Sequence, residues 1–256
     1  MHTHGPIAIM SAMQDELQAV LDELPDAKVH HVAGRDFWRA HWEGHVVIAV
    51  LSRIGKVAAA TTATVLAQHF GVRAILFTGV AGGIGAHVKV GDMVVGTHFM
   101  QHDMDASPLF PRHVLPLYGM DRFAADTQLR DCLLRAAHAT VLELGECIHA
   151  DARAEFNLDD VHVHPGLIVS GDRFVSTTAE GRALQTELPD ALAVDMECAA
   201  VAQVCHDFGL PFGAVRSVSD RADDAAHGDF TRFVDEVASH YSVNVMARTL
   251  QLLPHA

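Results

Sequence analysis

The chain has 256 residues, of which half are hydrophobic and a fifth are charged, so it can build one large α/β domain and is not generally disordered. Its formal net charge of -14 argues against a surface that binds a phosphate backbone, because such a surface needs clustered Lys and Arg. Nucleic acid is therefore not expected as a partner, whereas a single nucleoside is compatible with this charge.

The sequence indicates neither a membrane-spanning segment nor a metal site. No stretch reaches membrane-spanning length without a charge or a glycine, and the first residues lack an export pattern, which predicts a cytoplasmic protein. The four cysteines show no CxxC pairing and are expected to be reduced thiols. The 19 histidines include no HExxH pattern, so no metal site is predicted.

The first half of the chain alternates strands with helices. A strand at 7–10 leads into a helix at 13–24 whose apolar residues share one face. A hairpin follows, with its turn at Glu43 and Gly44 and an apolar second arm at 46–51. Further on, the patterns predict a helix at 56–70 that stops at Gly71, and a buried strand from residue 73 that runs into a glycine-rich loop, TGVAGGIG, at 78–85.

The second half continues this alternation around one long loop. The loop covers 101–120 and contains three prolines, and a loop of that length inside a compact domain is usually functional. The order of elements predicts a mixed or mainly parallel sheet flanked by helices, in a single domain at 1–256. The other predicted elements of this half are strands within 88–100 and at 161–170, 191–194 and 211–220, and helices at 125–142, within 176–189, up to Gly209, and from 230 onwards.

Unusual residues stand at the ends of several predicted strands, where α/β sheets bind ligands. Glu16 follows the first strand, although taken alone it fits an acidic residue stabilised by the helix dipole. The glycine-rich segment lacks the GK[ST] ending of a phosphate-binding loop, but its glycines let the backbone approach a ligand. Phe174, within VSGDRFVS, offers a flat ring on which a base can stack.

Three carboxylates occur in apolar surroundings. Asp195 and Glu197 lie between ALAV and CAAVAQVC, and Asp220 follows AVRSVS in the same way. Because carboxylates are costly to bury, this repeated arrangement predicts one shared polar pocket. Arg216 needs a carboxylate partner, which Glu16, Glu197 or Asp220 can supply. Such a set suits proton transfer and water activation, and a carboxylate can hold two neighbouring sugar hydroxyls, so the residues indicate a nucleoside site.

Six ordered segments that cover about residues 7–250 resemble the bacterial 5′-methylthioadenosine/S-adenosylhomocysteine nucleosidases of the nucleoside phosphorylase superfamily. They are IAIMSAMQDEL, IGKVAAATTATVLA, TGVAGGIGAHVKVGDMVV, VSGDRFV, AVDMECAAVAQVC and VRSVSDRAD. The resemblance implies a three-layer α/β/α sandwich with a mixed central sheet and a homodimer. It also implies cofactor-free hydrolysis of the bond between adenine and the thioribose of these two nucleosides, with 5′-deoxyadenosine as a further substrate.

The resemblance implies a role for each candidate residue. Glu16 would be the general base that activates water, and Asp220 the acid that protonates the five-membered ring of adenine. Glu197 would hold the ribose hydroxyls, with Arg216 ordering Glu197 and the water. The substrate-binding residues would be Met13, Ile54 and Phe230 around the 5′-alkylthio group, Val80 and Gly82 of the glycine-rich segment, Phe174 and Val175 at adenine, Met196 beside Glu197, and Ser219 beside Asp220.

The sequence departs from the family pattern in three places. Val80 stands where the family often has Ser, so a hydroxyl that can help to hold the water is missing. Asp195 stands where the family has a longer Glu, in a supporting position. The 101–120 loop begins with the family's HD.D pattern and then diverges. The resemblance implies that this loop reaches across the dimer and covers the 5′ substituent.

Three other functions fit the sequence. A phosphorylase of the same superfamily needs cations around an anion, and Arg53 before Ile54 is the residue that favours it. A hydrolase of futalosine-type nucleosides shares the scaffold and the carboxylates. The third alternative is a non-catalytic nucleoside-binding protein, which the sequence favours less because pure binding does not need both an acid and a base.

Overall fold

The computed structural model describes residues 5–222 and 230–255, and an eleven-stranded mixed sheet runs through them. The strand order is β2-β3-β4-β1-β5-β11-β6-β10-β9-β7-β8. The strands are β1 (Ile7–Ser11), β2 (Lys28–Val32), β3 (Arg35–Trp42), β4 (His45–Leu51), β5 (Ala74–Phe77), β6 (Val80–Gly83), β7 (Met93–Gln101), β8 (Arg122–Ala124), β9 (Val163–Ser170), β10 (Ala191–Asp195) and β11 (Phe212–Asp220).

Helices cover both faces of the sheet. They are α1 (Gln14–Asp22), α2 (Lys56–Gln68), α3 (Thr127–Leu142), α4 (Leu144–Cys147), α5 (Ala150–Glu155), α6 (Thr178–Glu187), α7 (Cys198–Phe208), α8 (Phe230–Phe233) and α9 (Ser239–Leu252). A 3₁₀ turn at Leu158–Asp160 and a π-helical segment at Val234–Ala238 complete the set. One apolar core lies under α1, α3 and α9, and a second lies under α2 and α7. The α/β/α layering and the mixed sheet are confirmed.

The two parts of the sheet differ in their pairing. Strand β1 pairs in parallel with β4 and β5, and β5 pairs in parallel with β11. Strand β11 then pairs with both β6 and β7, so that β11, β6, β10, β9 and β7 form a closed ring of strands. This closure brings together strands that are far apart in sequence.

The sequence predicted that the whole glycine-rich segment at 78–85 is a loop, but part of it forms a strand. Val80–Gly83 forms strand β6, in which Gly82 pairs with Asp220 on one side and with Val194 on the other. A Cβ atom at Gly83 would lie 2.8 Å from a Val218 methyl carbon, so glycine is needed for the strands to approach. The segment therefore places the ends of β10 and β11 on either side of one short strand.

Local sequence patterns located most helix ends correctly. Asp126 caps α3 by accepting a hydrogen bond from the N–H of Leu129, and Thr177 caps α6 in the same way. Gly209 ends α7 in the left-handed conformation. Strand β2 was not predicted because it is an exposed edge strand, KVHHV, without an alternating apolar face. The short elements β8, α4 and α5 were also missed.

The structure describes the side chains of three of the four cysteines. Cys132, Cys198 and Cys205 are free and buried, whereas the side chain of Cys147 lies outside the described part. Among residues 5–222 and 230–255, no helix is both long enough and apolar enough to cross a membrane.

Candidate active site

A cavity of about 420 Å³ lies where several strands end. It receives residues that follow β1, β4, β9 and β10, together with residues of β6 and the end of β11. All nine substrate-binding residues predicted from the sequence line it, namely Met13, Ile54, Val80, Gly82, Phe174, Val175, Met196, Ser219 and Phe230. Of the four predicted catalytic residues, Glu197 and Asp220 line the cavity, whereas Glu16 and Arg216 are fully buried beside it.

Glu16 is held in place by backbone N–H groups. Its Oε2 accepts hydrogen bonds from the N–H groups of Ala12 and Met13 at 3.1 Å each, and its Oε1 accepts one from Val80 at 3.0 Å. Both proposed interpretations of this residue are therefore compatible, since Glu16 closes the first turn of α1 and also lies directly behind the cavity wall. Burial raises the pKa of Glu16, and the positive charge of Arg216 opposes this shift.

Arg216 has a different principal partner from those that the sequence offered. Its Nε and Nη2 each lie 2.9 Å from Asp195 Oδ2, whereas Nη2 lies 3.5 Å from Glu197 Oε2. The sequence offered Glu16, Glu197 or Asp220 as the partner of Arg216. That set of candidates was incomplete, because the nearest carboxylate is that of Asp195. Arg216 also stacks over the ring of Phe77, at 4.1 Å from its centroid.

Asp195 is fixed from two sides. Ser170 Oγ donates to Asp195 Oδ1 at 2.5 Å, and the same oxygen accepts from the N–H of Glu197 at 3.2 Å. The N–H of Cys198 also points at the Asp195 carboxylate, at 3.3 Å. Asp195 therefore satisfies the first N–H groups of α7 while it neutralises Arg216.

Glu197 projects into the cavity with one oxygen fixed. Its Oε1 accepts a hydrogen bond from the N–H of Gly55 at 3.0 Å, at the start of α2. Burial and the charge of Asp195 raise the pKa of Glu197 to about 7, despite the opposing charge of Arg216. Glu197 is thus poised between its acidic and ionised forms near neutral pH.

Asp220 lies at the end of β11, on the cavity wall formed with Gly82. Its Oδ2 accepts from Ser219 Oγ at 2.8 Å, and its Oδ1 accepts from the N–H of Ala222 at 2.8 Å. A Cβ atom at Gly82 would lie 3.2 Å from Asp220 Oδ1, so the glycine leaves room beside this carboxyl group. Asp220 is only 6% exposed and lines the cavity.

Apart from Arg173, the more exposed part of the cavity lining is apolar. Phe174 and Phe230 meet edge to face, with ring centroids 6.4 Å apart. Ile54 is 60% exposed beside them, and Met13 and Val80 continue the apolar surface inward. The arrangement offers acids at the inner end of the cavity and an apolar region at its entrance, which fits a polar nucleoside that carries an apolar substituent.

Residues 6–254 match the family profile described as Phosphorylase superfamily. The chain belongs to that superfamily. It is 34% identical over 248 residues to the 5′-methylthioadenosine/S-adenosylhomocysteine nucleosidase of Bacillus thuringiensis (strain Al Hakam), a match that covers 96% of this chain and 99% of that relative. Within the phosphorylase superfamily, the chain therefore belongs to these nucleosidases.

Two solved structures superpose closely on this chain. The nucleosidase of Neisseria meningitidis, solved in complex with methylthio-immucillin-A, gives a TM-score of 0.84 at 31% identity, and the match covers 96% of this chain and 99% of that one. The futalosine hydrolase of Helicobacter pylori strain 26695 gives a TM-score of 0.83 at 28% identity, with coverages of 99% and 100%.

Among the residues of this site that the sequence did not identify, two hold its charged groups in place. Ser170, which orients Asp195, ends a buried strand just as Asp195 does, so the same criterion would have found it. Gly79 has a φ of +147°, and a Cβ atom there would lie 2.6 Å from Arg216 Nη1 and 2.9 Å from Glu16 Oε1. Gly79 thus lets the two buried charged groups approach each other, which no local pattern indicates.

Proposed function

We propose that the chain hydrolyses the N-glycosidic bond of 5′-methylthioadenosine and S-adenosylhomocysteine, and also of 5′-deoxyadenosine, to adenine and the 5′-substituted ribose. The observation that carries the proposal is that Asp220 and Glu197 line one cavity together with mostly apolar side chains. The names of the relatives agree with this substrate class. We propose that the reaction uses no cofactor, because the carboxylates can supply both the acid and the base.

Breaking this bond builds positive charge on the sugar and negative charge on the leaving base. Asp220 is proposed to protonate the five-membered ring of adenine, with Ser219 holding the carboxyl group in position through their 2.8 Å hydrogen bond. Phe174 is proposed to stack on adenine while the main chain of Val175 binds its edge. Protonation removes the charge that would otherwise develop on the leaving group.

The sugar is proposed to bind at Glu197. The free lone pairs of this carboxylate accept hydrogen bonds from the ribose hydroxyls, while the N–H of Gly55 fixes Oε1. A carboxylate close to the sugar also stabilises the positive charge that builds there. The backbone of Met196 lies beside it in the same cavity wall.

Glu16 is proposed to act as the general base for water. Burial raises the pKa of Glu16, which makes its carboxylate a stronger base for proton abstraction. The carboxylate lies behind Ala12, Met13 and Val80, so the reacting water is proposed to bind at that wall. Val80 lacks a hydroxyl for the water but contributes its N–H to the orientation of Glu16.

The phosphorylase alternative is less well supported by the cations. Arg53 donates to the carbonyl of Gly34 at 2.5 Å, and within the described residues it is not part of the cavity lining. Arg173 does line the cavity but is paired with Glu180. Neither guanidinium group is therefore directed at an inner anion site of the kind that phosphate requires.

Futalosine hydrolysis remains the second candidate. The observation in its favour is the overall likeness to the Helicobacter pylori enzyme. The apolar side chains of Met13, Ile54 and Phe230 instead favour a small alkylthio group at the 5′ position.

The protein is further proposed to be a cytoplasmic homodimer in which the 101–120 loop reaches the partner's site. Leu109 and Leu117 of this loop are 84% and 96% exposed. Exposed apolar side chains of this size support a protein partner for this loop. Sedimentation should give twice the mass of the chain, and a monomer at micromolar concentration would contradict the dimer.

A panel of adenine nucleosides that differ at the 5′ position tests the proposed substrate. Free adenine should appear fastest from 5′-methylthioadenosine and S-adenosylhomocysteine and more slowly from adenosine. A purified Asp220→Asn control should release it at least about 100-fold more slowly than the wild type. Faster release of base from futalosine would favour the second candidate. Binding of the nucleosides without any turnover would favour the non-catalytic alternative.

A further inference from the structure

The start of the 101–120 loop is bound to two segments that line the cavity. Asp103 Oδ1 lies 2.6 Å from Lys56 Nζ, and Asp103 Oδ2 accepts a hydrogen bond from the N–H of Asp172 at 3.0 Å. Lys56 begins α2, directly after Ile54 and Gly55, and Asp172 precedes Phe174 by two residues. One carboxylate therefore joins three segments that are far apart in sequence.

The two segments that Asp103 joins are also bonded to each other and to the site. Asp172 Oδ1 accepts from the N–H of Lys56 at 2.7 Å, and the preceding N–H, that of Gly55, donates to Glu197 Oε1 at 3.0 Å. Two successive N–H groups at the start of α2 thus hold two acids, each at the electropositive end of the helix.

The lysine in this network is restrained from a third direction. Lys56 Nζ donates to Gln101 Oε1 at 3.0 Å, and Gln101 Nε2 donates to Gln203 Oε1 of α7 at 2.7 Å. The Lys56 side chain is only 16% exposed, which strengthens its interaction with Asp103 relative to a surface pair.

The loop start also packs directly on the segment that carries Phe174. The N–H of His102 donates to the carbonyl of Ser170 at 3.0 Å. A methyl group at Gly171 would overlap the His102 ring, so the backbone of Gly171 is in close contact with it. Residues 101–103 therefore form a backing for the chain that leads to Phe174 and Val175.

We infer that Asp103 is a positioning residue for the adenine and ribose contacts of this site, an inference that rests on the proposed function. By binding the N–H of Asp172 it fixes the segment that carries Phe174 and Val175. By binding Lys56 it fixes the start of α2, whose Gly55 N–H orients Glu197. Neither Asp103 nor Lys56 is among the cavity-lining residues, so the effect on substrate is transmitted through Asp172 and Gly55.

The chain offers a matched control for a merely structural ion pair. Lys89 Nζ and Asp160 Oδ2 lie 2.7 Å apart, almost the same distance as in the Lys56 and Asp103 pair. The side chains of this second pair are 60% and 70% exposed, and neither residue lines the cavity. Loss of the Lys89 pair should thus affect neither substrate nor product binding.

The test compares Asp103→Asn with Asp160→Asn. Asparagine keeps the size of Asp103 but turns an NH₂ group toward one of its two donors. We expect the Kd for adenine and the KM for 5′-methylthioadenosine to rise about tenfold in Asp103→Asn, as one charge-assisted hydrogen bond is lost, while kcat falls less. Asp103→Glu should recover part of the loss, and Asp160→Asn should stay within about twofold of the wild type.

Unchanged adenine Kd and KM in a folded Asp103→Asn variant would overturn the inference, as would an equal change in the Asp160→Asn control. If Asp103→Asn does not fold, Lys56→Met provides the same readouts, with the same expected rise and the same refuting result. Wild-type protein that binds adenine but releases none from nucleosides would refute the proposed function alone. Wild-type protein that neither binds adenine nor releases it would refute both.

Discussion

Asp195 neutralises Arg216 in the interior of the protein, and two nitrogens of the guanidinium group each lie 2.9 Å from Asp195 Oδ2. Ser170 holds the other carboxylate oxygen at 2.5 Å. Burial and the negative charge of Asp195 raise the pKa of Glu197 to about 7, and Arg216, whose Nη2 lies 3.5 Å from Glu197 Oε2, only partly opposes this shift. Asp195 stands where the family pattern has a longer Glu, and both of its carboxylate oxygens have hydrogen-bond partners.

This relationship predicts how the pH dependence of activity responds to Asp195→Asn. Glu197 must be ionised to accept hydrogen bonds from both ribose hydroxyls, so kcat/KM should rise with pH up to about 7 in the wild type. The variant loses a negative charge beside Glu197, so the positive charge of Arg216 is less compensated and stabilises the ionised form of Glu197 more strongly. We expect the acidic limb of the profile to move down by about one pH unit. If the acidic limb of the pH profile stays in place in a folded variant, Asp195 does not shift the pKa of Glu197.

Glu197 also links stability to pH. Its folded pKa is raised from 4.5 to about 7, so the folded state holds the proton more tightly than the unfolded state does. The free energy of unfolding should therefore fall as pH rises from about 4.5 to about 7, by about 3 kcal/mol at 1.36 kcal/mol per unit. Burial raises the pKa of Glu16 in the same direction, which adds to the slope.

Urea denaturation at several pH values between these limits measures this slope. In Glu197→Gln the contribution of Glu197 should disappear and that of Glu16 should remain. A slope equal to that of the wild type would mean that Glu197 titrates alike in the folded and unfolded states.

Gly79→Ala should disrupt the contact between Glu16 and Arg216. The new Cβ atom would lie 2.6 Å from Arg216 Nη1 and 2.9 Å from Glu16 Oε1, so at least one buried charged group must move. We expect kcat/KM to fall at least about 100-fold, as expected for a misplaced catalytic group. Gly34→Ala is the control, because Gly34 also has a positive φ, of +70°, but no atom within 4 Å of the added Cβ. Similar activity in the two variants would count against the role of Gly79.

Asp220→Asn tests the acid. The amide keeps the shape of the side chain but cannot donate a carboxylic proton to adenine, so turnover should fall at least about 100-fold. Binding of 5′-methylthioadenosine, measured by calorimetry, should remain within a few-fold of the wild type. Near wild-type turnover would remove Asp220 from the mechanism.

Much of the fold was predictable because its signals are local. The apolar runs of β1, β4 and β11 and the caps of α3, α6 and α7 identify these elements directly from adjacent residues. The position of Val80–Gly83 as a strand was not predictable in this way. Its glycines are required by close approach to Val218 and Asp220, which are far away in sequence.

The site was predictable to the extent that position alone identifies it. Asp195, Glu197 and Asp220 were identified as polar residues at the ends of apolar strands, and the structure places all three around one cavity. Which carboxylate pairs with Arg216 was not predictable, because the choice depends on the register of β10 beside β9 and on the hydroxyl of Ser170. The network of Asp103 depends likewise on contacts across the fold.

The most direct test of the proposed hydrolysis is adenine release from 5′-methylthioadenosine in phosphate-free buffer and again with added phosphate, with the sugar product identified in each case. The proposal predicts equal rates in the two buffers and free 5-methylthioribose as the sugar product. Release that requires phosphate and yields the sugar 1-phosphate would contradict it.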